Sequence, residues 1–244
     1  MTAILSPAKN RRSAPERALP TTRPQRGQEA EELADVLCAM PAYELESTMQ
    51  ISPALALRAA ADFAAWTPEG RDPAILAYDG LAYKYLDADN LTDDDLCFAQ
   101  NHLRHMSALY GALRPLDVIH PYRLEMSRRP RGMNLYKFWG SKFRDDLYAE
   151  TDLVVNLASS EYSRAVSKQL KPGDRFLTCE FLSERGGKLR CLAANAKMAR
   201  GAMARYIIQN RIDRQEDLTG FDELGFAFAP SLSNDAVYTY VQQL

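Results

Sequence analysis

Two hydrophobic stretches of the sequence run directly into small polar residues. Residues 3–5 lead into Ser6, Pro7, Ala8 and Lys9, and residues 153–158 lead into a pair of serines. In α/β sheets, ligands bind at the carboxyl ends of strands, and hydroxyls with backbone N–H groups at a helix start hold anions. We therefore expect both segments to line one pocket. Its predicted ligand-binding residues are Ser6, Lys9 and Ser160, although a helix cap also explains Ser160.

The segment 107–126 gathers stiff, aromatic and ionisable side chains in a short connection. A helical pattern that begins after Thr92 runs to about residue 110 and stops at a glycine. We expect residues 109–117 to form a phosphate-binding hairpin and residues 121–126 to face a pocket. The side chains predicted to bind ligand or phosphate here are those of Arg114, Tyr122 and Arg123, together with the backbone of Gly111.

A helix predicted over 195–212 carries cations on one face. Lys197 and Arg200 fall opposite the apolar side, near Gly201. Small residues among cations let a ligand approach the backbone closely, which predicts an anion-binding face. A solvated helix face explains the same pattern, and the sequence leaves both interpretations open.

Composition is that of an ordinary globular protein with an uneven charge distribution. The chain has 244 residues, 46% hydrophobic and 25% charged, and a net charge of -2. Segment 62–95 is acidic and segment 104–144 is basic, so the fold either builds a positive face or neutralises the two segments against each other. We expect a cytoplasmic protein because there is no secretory leader and no apolar run near the ~18 residues of a membrane span.

Metal and cofactor chemistry is not expected. The four cysteines are widely spaced with no CxxC pair, and the three histidines lack an HExxH context. GxGxxG, Walker and GxSxG patterns are also missing from the sequence, so we predict no cofactor and no metal.

Periodicity predicts one α/β domain over 1–244, with a single mixed sheet and surrounding helices. We expect a long loop over 10–27. Strands are predicted at 3–5, 74–78, 153–158, 175–183, 188–193 and 237–241, and helices at about 28–39, 43–49, 53–66, 93–110, 134–149, 160 onward and 195–212.

The order of these motifs resembles the YaaA family, whose members are described as peroxide-stress proteins. The similarity spans nearly the whole chain. The matching runs are residues 5–9 (LSPAK), 107–117 (SALYGALRPLD), 121–126 (PYRLEM), 135–140 (LYKFWG), 155–159 (VNLAS), 197–201 (KMARG) and 218–221 (LTGF).

The resemblance implies a helix-hairpin-helix element and a basic cleft that binds double-stranded DNA without sequence specificity, linked to peroxide stress. The hairpin would lie at 110–113, although only one glycine is present there. The alternative is a small-molecule enzyme, because some relatives resemble transferases that move ammonia or hydroxylamine from a glutamine-type donor to an acyl acceptor. That alternative implies catalytic roles for Lys9, Arg123, Glu125, Asn156 and Ser159. A third interpretation is an interaction protein, and the oligomeric state stays open.

Overall fold

The computed structural model describes residues 1–15 and 17–243. Residue 16 of the predicted 10–27 loop, and residue 244 of the predicted domain, lie outside this description. The main helices are α1 (Gly27–Cys38), α2 (Ala42–Met49), α3 (Pro53–Ala64), α4 (Ala74–Ala77), α5 (Leu81–Leu86), α6 (Asp93–His102), α7 (Leu135–Trp139), α8 (Lys142–Tyr148), α9 (Ser160–Ser167) and α10 (Ala193–Gln209).

The strands include several that are only two or three residues long. They are β1 (Thr2–Leu5), β2 (Asn10–Arg11), β3 (Asp72–Pro73), β4 (Tyr78–Asp79), β5 (Leu103–Ser107), β6 (Gly111–Leu113), β7 (Val118–Ile119), β8 (Leu153–Asn156), β9 (Arg175–Arg185), β10 (Lys188–Arg190), β11 (Phe226–Phe228) and β12 (Val237–Gln243).

The main sheet has the order β11-β12-β9-β8-β1-β5-β6, with β10 paired to β9. Its five central strands are parallel, and the β6, β10 and β11 pairings are antiparallel. The predicted mixed α/β sheet with surrounding helices is therefore confirmed. Every residue of β1 and β8 is buried, as expected for parallel strands covered on both faces.

The order in which strands are added to the sheet reverses between β1 and β8, although the two strands are parallel. From β1 the chain passes to β5 on one side, and it later returns to β8 on the other side. The loops that follow β1 and β8 consequently diverge and leave a crevice at their carboxyl ends, where open α/β sheets bind ligands. This topology fixes the place of the functional site.

The predicted helix from 93 to 110 is wrong in its second half. The capping box of Thr92 and Asp95 starts α6 as expected, but α6 ends at His102 and β5 follows at once. Residues 103–113 form a β-hairpin, because Gly111 has φ 80° and opens β6. No helix-hairpin-helix is present in this part of the described chain.

Two other predicted elements differ. The predicted strand 74–78 is a helical turn, α4, between the short strands β3 and β4. The predicted helix 134–149 is divided into α7 and α8 by Gly140, whose φ of 51° and ψ of -124° lie outside the helical region. The strands predicted at 175–183 and 188–193 are present as the paired strands β9 and β10, although β10 ends at Arg190. The helix predicted from residue 53 begins there as α3, and the last predicted strand is β12.

Gly201 allows α10 to pack closely on α5. A Cβ atom added to Gly201 would lie 1.9 Å from the backbone oxygen of Ala82. The glycine is buried, so the expectation that it lets a ligand reach the helix backbone is wrong. Its function is to bring α10, and with it two cations, against α5.

Replacing Gly201 with alanine is expected to lower the free energy of unfolding by about 2–3 kcal/mol, because α10 must move away from backbone atoms that cannot yield. Urea unfolding measures the loss. Gly27→Ala is the matched control, because a Cβ there meets no atom within 4 Å and α1 begins at this residue. A Gly201→Ala protein as stable as the control would contradict the close packing.

Candidate functional site

A cleft of about 450 Å³ lies at the carboxyl ends of β1 and β8. Side chains reach it from the loops after both strands, from the segment 123–125, from α5 and from α10. The predicted site residues that line the cleft are Ser6, Lys9, Arg123, Glu125, Ser159, Lys197 and Arg200.

Ser6 and Ser159 join the two strand ends. The Ser159 backbone N–H donates to Ser6 Oγ at 2.8 Å, and Ser6 Oγ donates to Ser159 Oγ at 3.1 Å. Ser159 stands at the N-cap of α9, but its side chain makes no capping hydrogen bond. Its own O–H therefore stays available to donate to a ligand oxygen in the cleft.

Glu125 is the buried acid of the cleft. Its side chain is only 8% exposed, and three cations surround it. Its Oε1 lies 3.4 Å from Lys9 Nζ and 3.6 Å from the Arg123 guanidinium, while Oε2 accepts a 3.0 Å hydrogen bond from Arg128 Nε. Neither contact to Oε1 forms a hydrogen bond, so a buried carboxylate oxygen and the buried Arg123 Nε–H both lack a partner among the described residues.

Arg200 and Lys197 extend from α10 into the same cleft. Lys197 is exposed, and Arg200 is partly buried. Burial lowers the pKa of Arg200, and no carboxylate among the described residues offsets this cost. Its buried Nε–H also has no hydrogen-bond partner there. A guanidinium with this environment is suited to an anionic ligand.

Tyr83 connects the cleft to a fully buried histidine. Its hydroxyl donates to the Ser6 carbonyl oxygen at 3.2 Å and lies 2.9 Å from His105 Nδ1. His105 Nε2 has no partner among the described residues, and a neutral ring with its proton on Nδ1 leaves only an acceptor unpaired. Burial lowers the pKa of His105 to about 3. His105 therefore acts as a neutral donor that holds Tyr83 against the loop after β1.

This burial makes stability depend on pH. The His105 pKa falls from 6.5 to about 3 on folding, so its contribution is present above pH 6.5 and lost as pH falls towards 3. We expect the wild type to lose about 2 kcal/mol more than His105→Gln between pH 7 and pH 5. Urea unfolding of both proteins at each pH measures the difference. Equal losses would mean that folding does not lower the pKa of His105, so that the ring is protonated in the folded protein at pH 5.

Arg11 is a cleft residue that sequence reasoning missed. Its guanidinium lies 4.4 Å from the ring centre of Tyr78 and 4.2 Å from that of Tyr122. It also donates to the backbone oxygens of Ala8 and Asn10. The loop after β1 is thereby fixed on a buried aromatic base. The Arg-rich composition of residues 10–27 was the available signal.

Four other predicted residues lie outside the cleft lining. Gly111 packs against Trp139, and Arg114 pairs with the buried carboxylate of Asp117 at 3.3 Å. Asn156 accepts from the Ala158 N–H at 2.9 Å and so shapes the end of β8. Ser160 is exposed in the first turn of α9.

Tyr122 also lies outside this lining. Its hydroxyl is within 2.8 Å of Tyr78 Oη and 2.7 Å of Ser107 Oγ, inside the protein. Its ring lines an adjoining cavity instead. Functional roles for these five residues stay predictions.

Within residues 1–15 and 17–243, no group of three or more His, Cys, Asp or Glu side chains is arranged to hold a metal ion. The described helices include none with the length and apolar character needed to cross a membrane.

The fold and the cleft define an α/β protein with a polar site at the point where strand order reverses. The family model described as "Peroxide stress protein YaaA" matches residues 1–232, and the chain belongs to this family. The family predicted from the sequence motifs is confirmed.

Similar proteins cover almost the full chain. A UPF0246 protein of Caulobacter vibrioides (strain NA1000 / CB15N) is 43% identical over 254 residues, with 99% of both chains covered. A UPF0246 protein of Leptothrix cholodnii is 41% identical, covering 96% of this chain and 95% of its own. One of Paraburkholderia phytofirmans is 39% identical, with 98% of both covered. These names give a family and state no ligand or reaction.

Proposed function

We propose that this chain is an enzyme that transfers ammonia or hydroxylamine from a glutamine-type amide donor to the carboxylate of a small acceptor. The observation that supports a small-molecule enzyme is the convergence of seven predicted side chains, from separate segments, in one cleft of about 450 Å³. This volume lies within the roughly 300–1,000 Å³ range of small-molecule sites. The choice of amide transfer follows the implied similarity to transferases.

The reaction balances without an oxidant or a cofactor. The donor C–N bond breaks and a C–N bond to the acceptor carbonyl forms, while one acceptor oxygen passes to the donor, which leaves as a carboxylate. The Lys9–Glu125 pair gives a proton to the departing nitrogen and takes one back when that nitrogen attacks. Ser159 Oγ–H donates to the developing oxyanion, and Arg123 holds a carboxylate.

The test is a turnover assay with the full chain, glutamine or glutamic acid γ-hydroxamate as the donor, and a panel of small carboxylic acids. Mass spectrometry identifies the amide or hydroxamate product. We expect product with the wild type and none with Lys9→Ala or Arg123→Ala at unchanged circular dichroism. If both variants turn over at the wild-type rate, Lys9 and Arg123 have no role in the mechanism. If the wild type forms no product with any acceptor, the result counts against amide transfer.

Nonspecific binding of duplex DNA, the first expectation from the sequence, is the second proposal. It is supported by the cations at the mouth of the cleft, since the Lys9 side chain is 64% exposed and Lys197 is exposed as well. The hairpin at 103–113 gives it no support. Phosphate contacts release counterions, so affinity must fall steeply with salt. Fluorescence anisotropy with a labelled duplex at 50 and 200 mM salt tests this, and affinity independent of salt would exclude it.

A further inference from the structure

A second cavity of about 340 Å³ adjoins the cleft. We call it the side chamber. Lys9, Arg11 and Arg123 line both cavities, so the segment after β1 forms a common wall. One face of α3 also lines the chamber, where Leu55, Arg58 and Asp62 lie at helical spacing.

Among residues 1–15 and 17–243, three charged side chains of the side chamber form neither an ion pair nor a hydrogen bond. Lys9 and Arg123 pair with Glu125, and Arg11 is held by two tyrosine rings and backbone oxygens. By contrast, in residues 1–15 and 17–243, the side chains of Arg58, Asp62 and Asp79 form no ion pair or hydrogen bond. The charges left for a ligand are one cation and two carboxylates.

The partly buried carboxylate of Asp62 is unfavourable in the protein without a bound ligand. Partial burial raises the pKa of its carboxyl, and the charges of Arg58 and Arg11 offset that only in part. A cationic group bound between Asp62 and Asp79 would relieve the cost. Arg58, exposed at the rim of the same chamber, is suited to a carboxylate.

We propose that the side chamber is a binding site for a small zwitterion of the α-amino-acid class. Its ammonium group lies with Asp62 and Asp79, and its carboxylate lies with Arg58. The side chain of the amino acid then points past Arg123 towards the cleft. The side chamber would thus hold one substrate and the cleft the other. This last assignment rests on the proposed function, whereas the binding site rests on the charge pattern alone.

Isothermal titration calorimetry of the full chain with L-glutamine tests the proposal without any need for turnover. Glutarate, which lacks the ammonium group, and butylamine, which lacks the carboxylate, are the comparison ligands. We expect L-glutamine to bind at least about tenfold more tightly than either. Equal or tighter binding of butylamine or glutarate would overturn the zwitterion site, and so would failure of L-glutamine to bind.

Two substitutions locate the site. Asp62→Asn and Arg58→Gln are each expected to weaken L-glutamine binding about tenfold or more, since each removes a charge-assisted hydrogen bond. Asp35→Asn, on the exposed face of α1, is the matched control and should leave affinity unchanged. Asp62→Asn removes a desolvated charge, so it should fold normally. Unchanged affinity in both chamber variants would place L-glutamine elsewhere. Binding without turnover would refute amide transfer but keep this site.

Discussion

Replacing Glu125 with glutamine is expected to reduce turnover in the proposed amide transfer by about 10²–10⁴-fold and to destabilise the protein by about 2–4 kcal/mol. The carboxylate is 8% exposed and is the shared partner of Lys9, Arg123 and Arg128. A neutral amide leaves the two arginines, both about four-fifths buried, without a countercharge. Lys9 is 64% exposed and loses little, because water screens it. Steady-state kinetics and urea unfolding measure the two effects.

Glu44→Gln is the matched control for this prediction. Glu44 also pairs with an arginine, Arg131, at 3.4 Å, but both side chains are partly exposed and neither lines the cleft. Surface pairs contribute only about 0–1 kcal/mol, so stability and turnover should both stay near wild type. A Glu125→Gln protein that turns over normally would leave Glu125 with a structural role only.

The sequence could predict which residues meet at the strand ends. The prediction needs only the local hydrophobic pattern of each strand and the rule that parallel strands end at the same edge of a sheet. Residues 3–5 and 153–158 are predicted as buried strands, and polar residues that end parallel strands share an edge. The contact between Ser6 and Ser159 follows from these two facts. Glu125 was identified by residue type, but its burial among three cations was not.

Strand β5 escaped prediction because two of its five residues are ionisable. Arg104 and His105 are buried, which is unusual for such side chains, and the sequence pattern assigned them to the preceding helix. Arg104 is stabilised there by Glu150 and by the backbone oxygens of Gln100 and Leu103. These partners are distant in sequence or depend on the turn itself, so no local pattern reveals them.

The side chamber was also beyond sequence reasoning. It exists because β2 pairs with β4, which brings Asn10 opposite Asp79. Strands of two residues carry no periodic signal. The acidic run containing Asp62 and Asp79 was visible in the sequence, but Lys9, Arg11 and Arg123, which line the chamber with it, come from other segments. Long-range pairing, rather than composition, decides which charges meet.

Replacing Arg200 with methionine is expected to stabilise the protein by about 1–3 kcal/mol. The substitution should also abolish the rise in melting temperature that anions cause in the wild type. The substitution deletes a partly buried cation that has no carboxylate or Nε partner in the described chain and keeps an unbranched side chain of similar length. Uncompensated buried charge is unfavourable, so its removal stabilises. Wild type should show a rising melting temperature with added phosphate, since ligands that bind only the folded state stabilise it.

Arg205→Met separates this effect from a general consequence of losing an arginine on α10. Arg205 donates to the Asp87 carboxylate at 2.9 Å and to the Asp87 backbone oxygen at 2.9 Å, so its loss should cost about 1 kcal/mol. It is not part of the cleft lining, and the response to anions should survive. We expect Arg200→Met to be more stable than wild type and Arg205→Met to be less stable, with the response to anions lost only in Arg200→Met. This combination would identify Arg200 as a residue that binds a ligand at a cost in stability. A destabilised Arg200→Met protein that still responds to anions would show that Arg200 is structural.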